Sequence, residues 1–456
     1  MTVFAGYLKG FLIMSGGIKS EGVNMVSEQY DVPDGIYSES LDNRLEVLRD
    51  YVRENPKEFN NGFVNLHIHT NESFSVFTSP TEAVFHAYQQ DVKYFGINDH
   101  YTIAGHPEFR AACDIAGLRA CFSMEAISMD RDAAGQNFRY NDPDNPGRIY
   151  IVGKGVTSSL NMGSTGWRNL SSILKNVRRR NEKIAKKLRE YASSRGVNVD
   201  YSFDDALALT PRGITTERHV VQAFCMKIQS MGKTLEKQRE LFYKITDVEF
   251  TEEKLKDVGA LLDTVRALLT KAGKPCYVEE DPGSFTTIEN LVGIYRELGA
   301  IPTYPMVGFP ITEAESDLEE LVKSVKSKGM YAFDMIERID ENRAKEIIDV
   351  AKDCGFPVFI GTEHNTKKMI PLVGKIGKNR VFLDYFIKSA HMVLGHQLLT
   401  ELCNFGYIDE KGMPRIQDLR EGFELFAHAG AMELDKEKIE ELKSKTLTER
   451  KKFFGI

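Results

Sequence analysis

Two histidines, His67 and His69, stand two residues apart in Asn65-Leu66-His67-Ile68-His69-Thr70, at the end of a segment that reads as a strand. Side chains two apart on a strand share one face, so these imidazoles converge on the same space, an arrangement that suits a divalent metal. Taken alone, such a pair is as often an ordinary polar strand end. Further strand ends add weight. Asn98-Asp99-His100 follows Tyr94-Phe95-Gly96-Ile97, Glu125 follows Cys121-Phe122-Ser123-Met124, and Glu363-His364 follows Val358-Phe359-Ile360-Gly361. A carboxylate such as Glu125 can bridge two ions, and closely spaced metals activate a water while holding phosphoryl oxygens, so hydrolysis is the natural expectation. Alternation keeps Glu363 and His364 from both pointing inward unless their strand has already ended.

The elements that must carry these residues alternate. Residues 41–56 read as a helix and 63–68 as a strand; helices over 80–90 and 108–116 alternate with strands over 94–98 and 120–124. Strand, loop, helix, strand is the rhythm of a parallel sheet. The middle differs: residues 170–194 form a basic amphipathic helix, and 235–272 read as more helix with almost no strand signal. Alternation returns with strands over 300–304, 331–336 and 357–361 and helices over 318–328 and 341–354. The predicted fold is α/β, a (β/α) barrel of seven or eight units with a helical insertion and a helical C-terminal tail, its strand ends opening on one mouth. The expected divisions are a poorly ordered leader over 1–40, barrel over 41–160, helical insertion over 161–290, barrel again over 291–380, and helix over 381–456.

Composition narrows the class. With 42% hydrophobic and 27% charged residues the chain is an ordinary folded protein, and a net charge of -7 gives no general pull toward nucleic acid. Six cysteines without CxxC spacing argue against a zinc ribbon or a disulfide framework and fit a reducing cytoplasm. Residues 1–25 are too broken by Lys9 and glycines for a membrane span, and they lack the order of a signal peptide. Outside the strand ends, blander readings hold. His86 reads as a helix residue, His106 as a loop residue, and His391, His396 and His428 as packing or surface residues of the tail. The run Arg178-Arg179-Arg180 reads as a solvated helix face.

On the residues quoted, the chain resembles the PHP (polymerase and histidinol phosphatase) superfamily over about residues 65–366. Leu66-His67-Ile68-His69-Thr70 resembles its first motif, Asn98-Asp99-His100-Tyr101-Thr102-Ile103-Ala104-Gly105 its TDHxTxxG motif, and Glu125 its bridging glutamate. Thr216-Glu217-Arg218-His219-Val220-Val221-Gln222-Ala223 is similar to the RPHIARAL segment of the nucleotide and oligonucleotide phosphoesterases. The resemblance implies a distorted (β/α)7 barrel with up to three metals, and an arginine and a histidine, Arg218 and His219, facing the substrate. There are departures. Phe74 stands where the family keeps an aspartate, with Glu72 nearby as a substitute, Tyr150 and Tyr304 stand where it keeps histidines, and Asn365 stands where the closing GSDxH motif has its histidine, displaced here by one to His364.

The implied ligand set is therefore His67, His69, His100 and Glu125 with Glu363, preferred on the alignment, or His364. It would hold one or two divalent ions (zinc, manganese or iron). Asp99, Arg218 and His219 stand as catalytic candidates, and Lys154, Tyr150, Tyr304 and Arg218 as substrate-binding ones, since a fixed cation stabilises a transferring phosphoryl group. The function so implied is a cytoplasmic metal-dependent phosphoesterase acting on a small phosphorylated metabolite through a metal-activated water, with neither a membrane nor nucleic acid expected as partner. The alternatives are another metal-dependent hydrolase or isomerase on the same scaffold, or a non-catalytic ligand-binding relative.

Overall fold

The computed structural model describes residues 32–210, 212–280 and 285–456. Most of the expected leader lies outside them. Its last residues, 32–40, include a 3-10 turn, Asp34–Tyr37, that buries Ile36 in the core, so this part of the leader belongs to the folded body.

Seven strands follow one another around the sheet in chain order: β1 Phe63–Ile68, β2 Val92–His100, β3 Arg119–Met129, β4 Arg148–Lys154, β5 Ile301–Met306, β6 Phe333–Ile336 and β7 Val358–Gly361. Pairing is parallel from β1 to β3 and from β5 to β7. It is antiparallel on both sides of β4. The return from β3 to β4 holds only the short helix Arg131–Gly135, too little chain for the crossover that a parallel strand requires. The ring closes where the Glu363 amide donates to the His67 carbonyl at 2.8 Å and the His69 amide donates to the Glu363 carbonyl at 2.7 Å. This is the distorted (β/α)7 barrel, with one strand reversed.

Helices coat the barrel where the sequence caps them. Ser40 and Ser79 accept from backbone amides at the starts of α1 (Leu41–Glu54) and α2 (Pro80–Gln89), and Gly117 ends α3 (His106–Ala116) in the left-handed conformation. Among the described residues the regular elements of the insertion are helices, led by the 30-residue α4 (Thr165–Ser194) and α5 (Glu217–Met231). The predicted helix over 235–272 is three helices. Asp247 ends the first in the left-handed conformation, and Thr251 and Asp257 cap the next two. The tail packs α6 (Arg380–Cys403), whose face is largely buried, beside β1, β3 and β7.

Two hydrophobic cores result, one in the barrel and tail and one in the insertion. Phe74, from the loop after β1, belongs to the second. The position where a ligand aspartate was expected thus carries an anchor for the insertion instead. No helix among the described residues is long and apolar enough to cross a membrane.

Candidate metal centre

Which side chains enter the barrel follows from strand alternation. A Cβ on Gly153 would lie 2.3 Å from the Tyr295 ring in the outer helix layer, so Gly153 faces out, and its neighbour Lys154 faces in. By the same alternation His67 on β1, Asn98 and His100 on β2, and Glu125 on β3, which is in register with His100, face inward together.

They meet. Glu125 Oε2 lies 3.4 Å from His67 Nε2, 3.4 Å from His69 Nε2 and 3.7 Å from His100 Nδ1. The ligand atoms of His67, His69 and Glu125 all fall within 4.8 Å of one another, and all three residues are buried. The His69 and His100 rings are 4.4 Å apart. Buried His69 Nε2 and His100 Nδ1 have no hydrogen-bond partner. An unsatisfied buried polar atom costs about 1–3 kcal/mol, and two orphan imidazole nitrogens beside one carboxylate are what a divalent cation would satisfy. The donor set therefore fits a metal ion.

Neighbouring groups fix the rings. Asp334, on β6, approaches His67 Nδ1 to 2.7 Å. A carboxylate only accepts, so Nδ1 carries a proton and Nε2 turns toward Glu125. Ser73 donates its hydroxyl to Asp99 at 2.6 Å, which leaves Ser73 Oγ to accept from His69 Nδ1 at 3.2 Å and leaves His69 Nε2 with its lone pair free. Burial would lower the His67 pKa, but the charge and hydrogen bond of Asp334 raise it to about 9. Burial lowers His69, and burial with the neighbouring His69 pulls His100 down to about 4, so both are neutral donors. Burial opposes ionisation of Glu125, yet the surrounding imidazoles hold its carboxyl well below the usual range.

Several expected site residues lie elsewhere. Because β4 runs backwards, its C-terminal residue Lys154 lies at the end away from the mouth, fully buried, with Nζ donating to the Leu66 carbonyl at 2.6 Å and paired with Asp334 at 2.8 Å. It cannot serve as a phosphate partner. Tyr304, expected to bind substrate, sits one residue past inward-facing Thr303 and points into the outer layer against Phe333, at 6.4 Å between ring centres, away from the barrel interior. Asp99, expected among the catalytic residues, faces outward too. It accepts from the Thr70 amide and hydroxyl and from Ser73, and so braces the loop beyond β1.

The strand β7 has ended before Glu363, and both Glu363 and His364 adopt positive φ, 64° and 55°. Neither joins the cluster. Glu363 turns to Arg338 at 2.9 Å, and His364 spends its two nitrogens on the Thr362 hydroxyl at 2.8 Å and the Ile370 carbonyl at 3.0 Å. His219 Nδ1 accepts from the Thr216 amide at 3.1 Å, capping α5, and its ring stands edge-on to Phe74. Glu72 pairs with Arg212 of the insertion and does not replace the missing aspartate. Two candidates keep an accessible position. Arg218 is 26% exposed, 3.6 Å from Asp263 and stacked over Phe74, and half-buried Tyr150 shares the inward face of β4 at the open end.

Sequence reading missed Asp334 and the part played by Ser73. A lone carboxylate in the apolar run Tyr331-Ala332-Phe333-Asp334-Met335-Ile336 was the available signal. Asn98, quoted only within a motif, faces the same space, its Nδ2 2.7 Å from His67 Nε2.

No family model and no curated protein matches the chain. Among solved structures it is similar to a protein assigned as a metal-dependent phosphoesterase from Bifidobacterium adolescentis, at 13% identity and TM-score 0.48, over 70% of this chain and 95% of that one. It is also similar to an amidohydrolase from Chromobacterium violaceum, at 16% identity and TM-score 0.42, over 69% of this chain and 94% of that one. At such identities and scores these likenesses say nothing of activity.

Proposed function

We propose that the chain is a metal-dependent hydrolase of the PHP kind, a phosphoesterase acting on a small phosphorylated metabolite in the cytoplasm. The observation that carries this reading is the convergence of His67, His69 and Glu125, with the His69 Nε2 lone pair buried and unpartnered. One or two zinc, manganese or iron ions held there would polarise a phosphoryl oxygen and make a water nucleophilic near neutral pH. Within the protein, His67, His69 and Glu125 supply the donors, with His100 at their edge. Arg218 at the rim offers a planar cation to phosphoryl oxygens. Burial, reinforced by Asp142 and Glu125, keeps the Tyr150 phenol protonated, so it acts as a hydrogen-bond donor facing the mouth.

Burial of Lys154 leaves fewer cations for phosphate than the sequence promised, and this favours as second reading a metal-dependent hydrolase or isomerase whose substrate bears no phosphate. Assaying metal-free protein resupplied with manganese, zinc or iron against an aryl phosphate and an aryl ester separates the two. Metal-stimulated phosphate release supports the first; turnover of the ester alone supports the second. Turnover of neither substrate with any metal would count against both.

A further inference from the structure

Asp334 joins three strands. Its Oδ2 lies 2.7 Å from His67 Nδ1 on β1 and 2.8 Å from Lys154 Nζ on β4, and Lys154 also donates to the carbonyl of Leu66, the residue before His67. The side chains of Asp334 and Lys154 are fully buried, and that of His67 is 1% exposed. An ionic pair taken this far from water is a poor way to gain stability, since desolvation consumes most of the attraction. Filling the barrel needed only apolar side chains. A lysine and an aspartate that hold each other alone would leave His67 out, whereas here one carboxylate oxygen is shared between the cation and the imidazole.

We propose that Asp334 is a positioning residue for the metal centre, with Lys154 as its buried counter-charge; the proposal rests on the metal-centre reading given above. The two ring nitrogens of His67 divide the work. Nδ1 is tied to Asp334 across the barrel, and Nε2 is thereby aimed at Glu125, 3.4 Å away. A carboxylate behind a ligating imidazole fixes the ring, sets its tautomer and makes it a better donor. Lys154 is needed because a lone aspartate could not stay charged at that depth. The reversal of β4 is what makes the arrangement possible, since it brings the end of that strand to the inner end of the barrel, behind His67.

The test uses the full chain as wild type, Asp334→Asn, and the double variant Asp334→Asn with Lys154→Met, which removes the stranded cation should the single variant fold poorly. Zinc and manganese affinities are measured by competition with a chromophoric chelator, and the deshielded Nδ1 proton of His67 is followed by NMR in metal-free protein. Expected are affinities weaker by about 10–100-fold in both variants and loss or a large upfield shift of that proton signal. A merely structural Asp334 would lower thermal stability but leave the affinity of the folded double variant unchanged, and that result would overturn the proposal. Wild-type protein that binds neither ion would defeat the metal-centre reading by itself. The proton signal then decides whether Asp334 holds His67, and an unchanged signal in Asp334→Asn overturns that as well.

Discussion

Gly361 passes so close to His67 that a Cβ added at position 361 would lie 2.3 Å from the His67 Cβ and 2.7 Å from its Cα. This is the seam where β7 meets β1, and the contact is with backbone, which cannot swing aside. Gly361→Ala should therefore displace His67 and strain the closure, lowering stability by about 1–3 kcal/mol and weakening metal binding with it. Thermal unfolding with and without zinc checks both; an alanine variant as stable as wild type and equally stabilised by zinc would show that the seam has slack.

Glu108 is the second structural prediction. It accepts from Arg44 Nε at 3.1 Å and Nη2 at 2.8 Å and from the Thr81 hydroxyl at 2.8 Å, and it also pairs with Arg212 from the insertion. Glu108→Ala strands the buried Arg44 guanidinium and should cost about 3–5 kcal/mol. Denaturant titration measures the loss. Faster proteolysis within the insertion should accompany it, because Arg212 loses one of its two carboxylates.

His396 makes acid sensitivity predictable. Its Nε2 donates to the Gly299 carbonyl at 2.8 Å and its Nδ1 accepts from the Tyr407 amide at 2.9 Å, so only the neutral ring satisfies both. Burial lowers its pKa to about 4. A histidine depressed in the folded state binds its proton more readily when unfolded. Its contribution is therefore complete above the unfolded value near 6.5 and is lost as the pH falls from there toward about 4, on the order of 3 kcal/mol in all. Stability measured across that window should fall in wild type and fall less steeply in His396→Gln. Parallel curves would remove His396 as a cause.

Tyr304 and Tyr150 should now behave differently, although both were expected to bind substrate. Tyr304→Phe removes a hydroxyl in the outer layer and should leave KM and kcat unchanged, with stability altered by no more than about 1 kcal/mol. Tyr150→Phe should raise KM or lower kcat. Steady-state kinetics of the two variants would contradict this placement if Tyr304→Phe were the impaired one.

What the sequence revealed and what it hid follow from the range of the interactions. The strand Phe63–Ile68 and the helix Glu341–Cys354 fall where predicted, because alternation, apolar periodicity and capping are written in neighbouring residues. His67, His69 and His100 were legible because each stands at or beside a strand end; Glu125 was expected at one too, but β3 runs on past it to Met129. Lys154 was misplaced because strand direction is decided by the length of the connection before it, and Tyr304 because a match to a motif carries no information on the face. Glu363 and His364 were expected at the rim with one of them as a ligand, but past the end of β7 the backbone has turned to positive φ and their partners lie outside the cluster. Asp334 was missed since its partners lie 267 and 180 positions away, beyond any local pattern.

The central claim is that His67, His69 and Glu125 form a metal site. Its most direct test is the metal content of the purified chain, equilibrated with zinc or manganese and freed of excess, set against His69→Ala of verified fold. The account predicts at least one tightly held equivalent in wild type and affinity reduced by about 10-fold or more in the variant. Wild type with no bound metal, or a variant that retains all of it, would contradict the account.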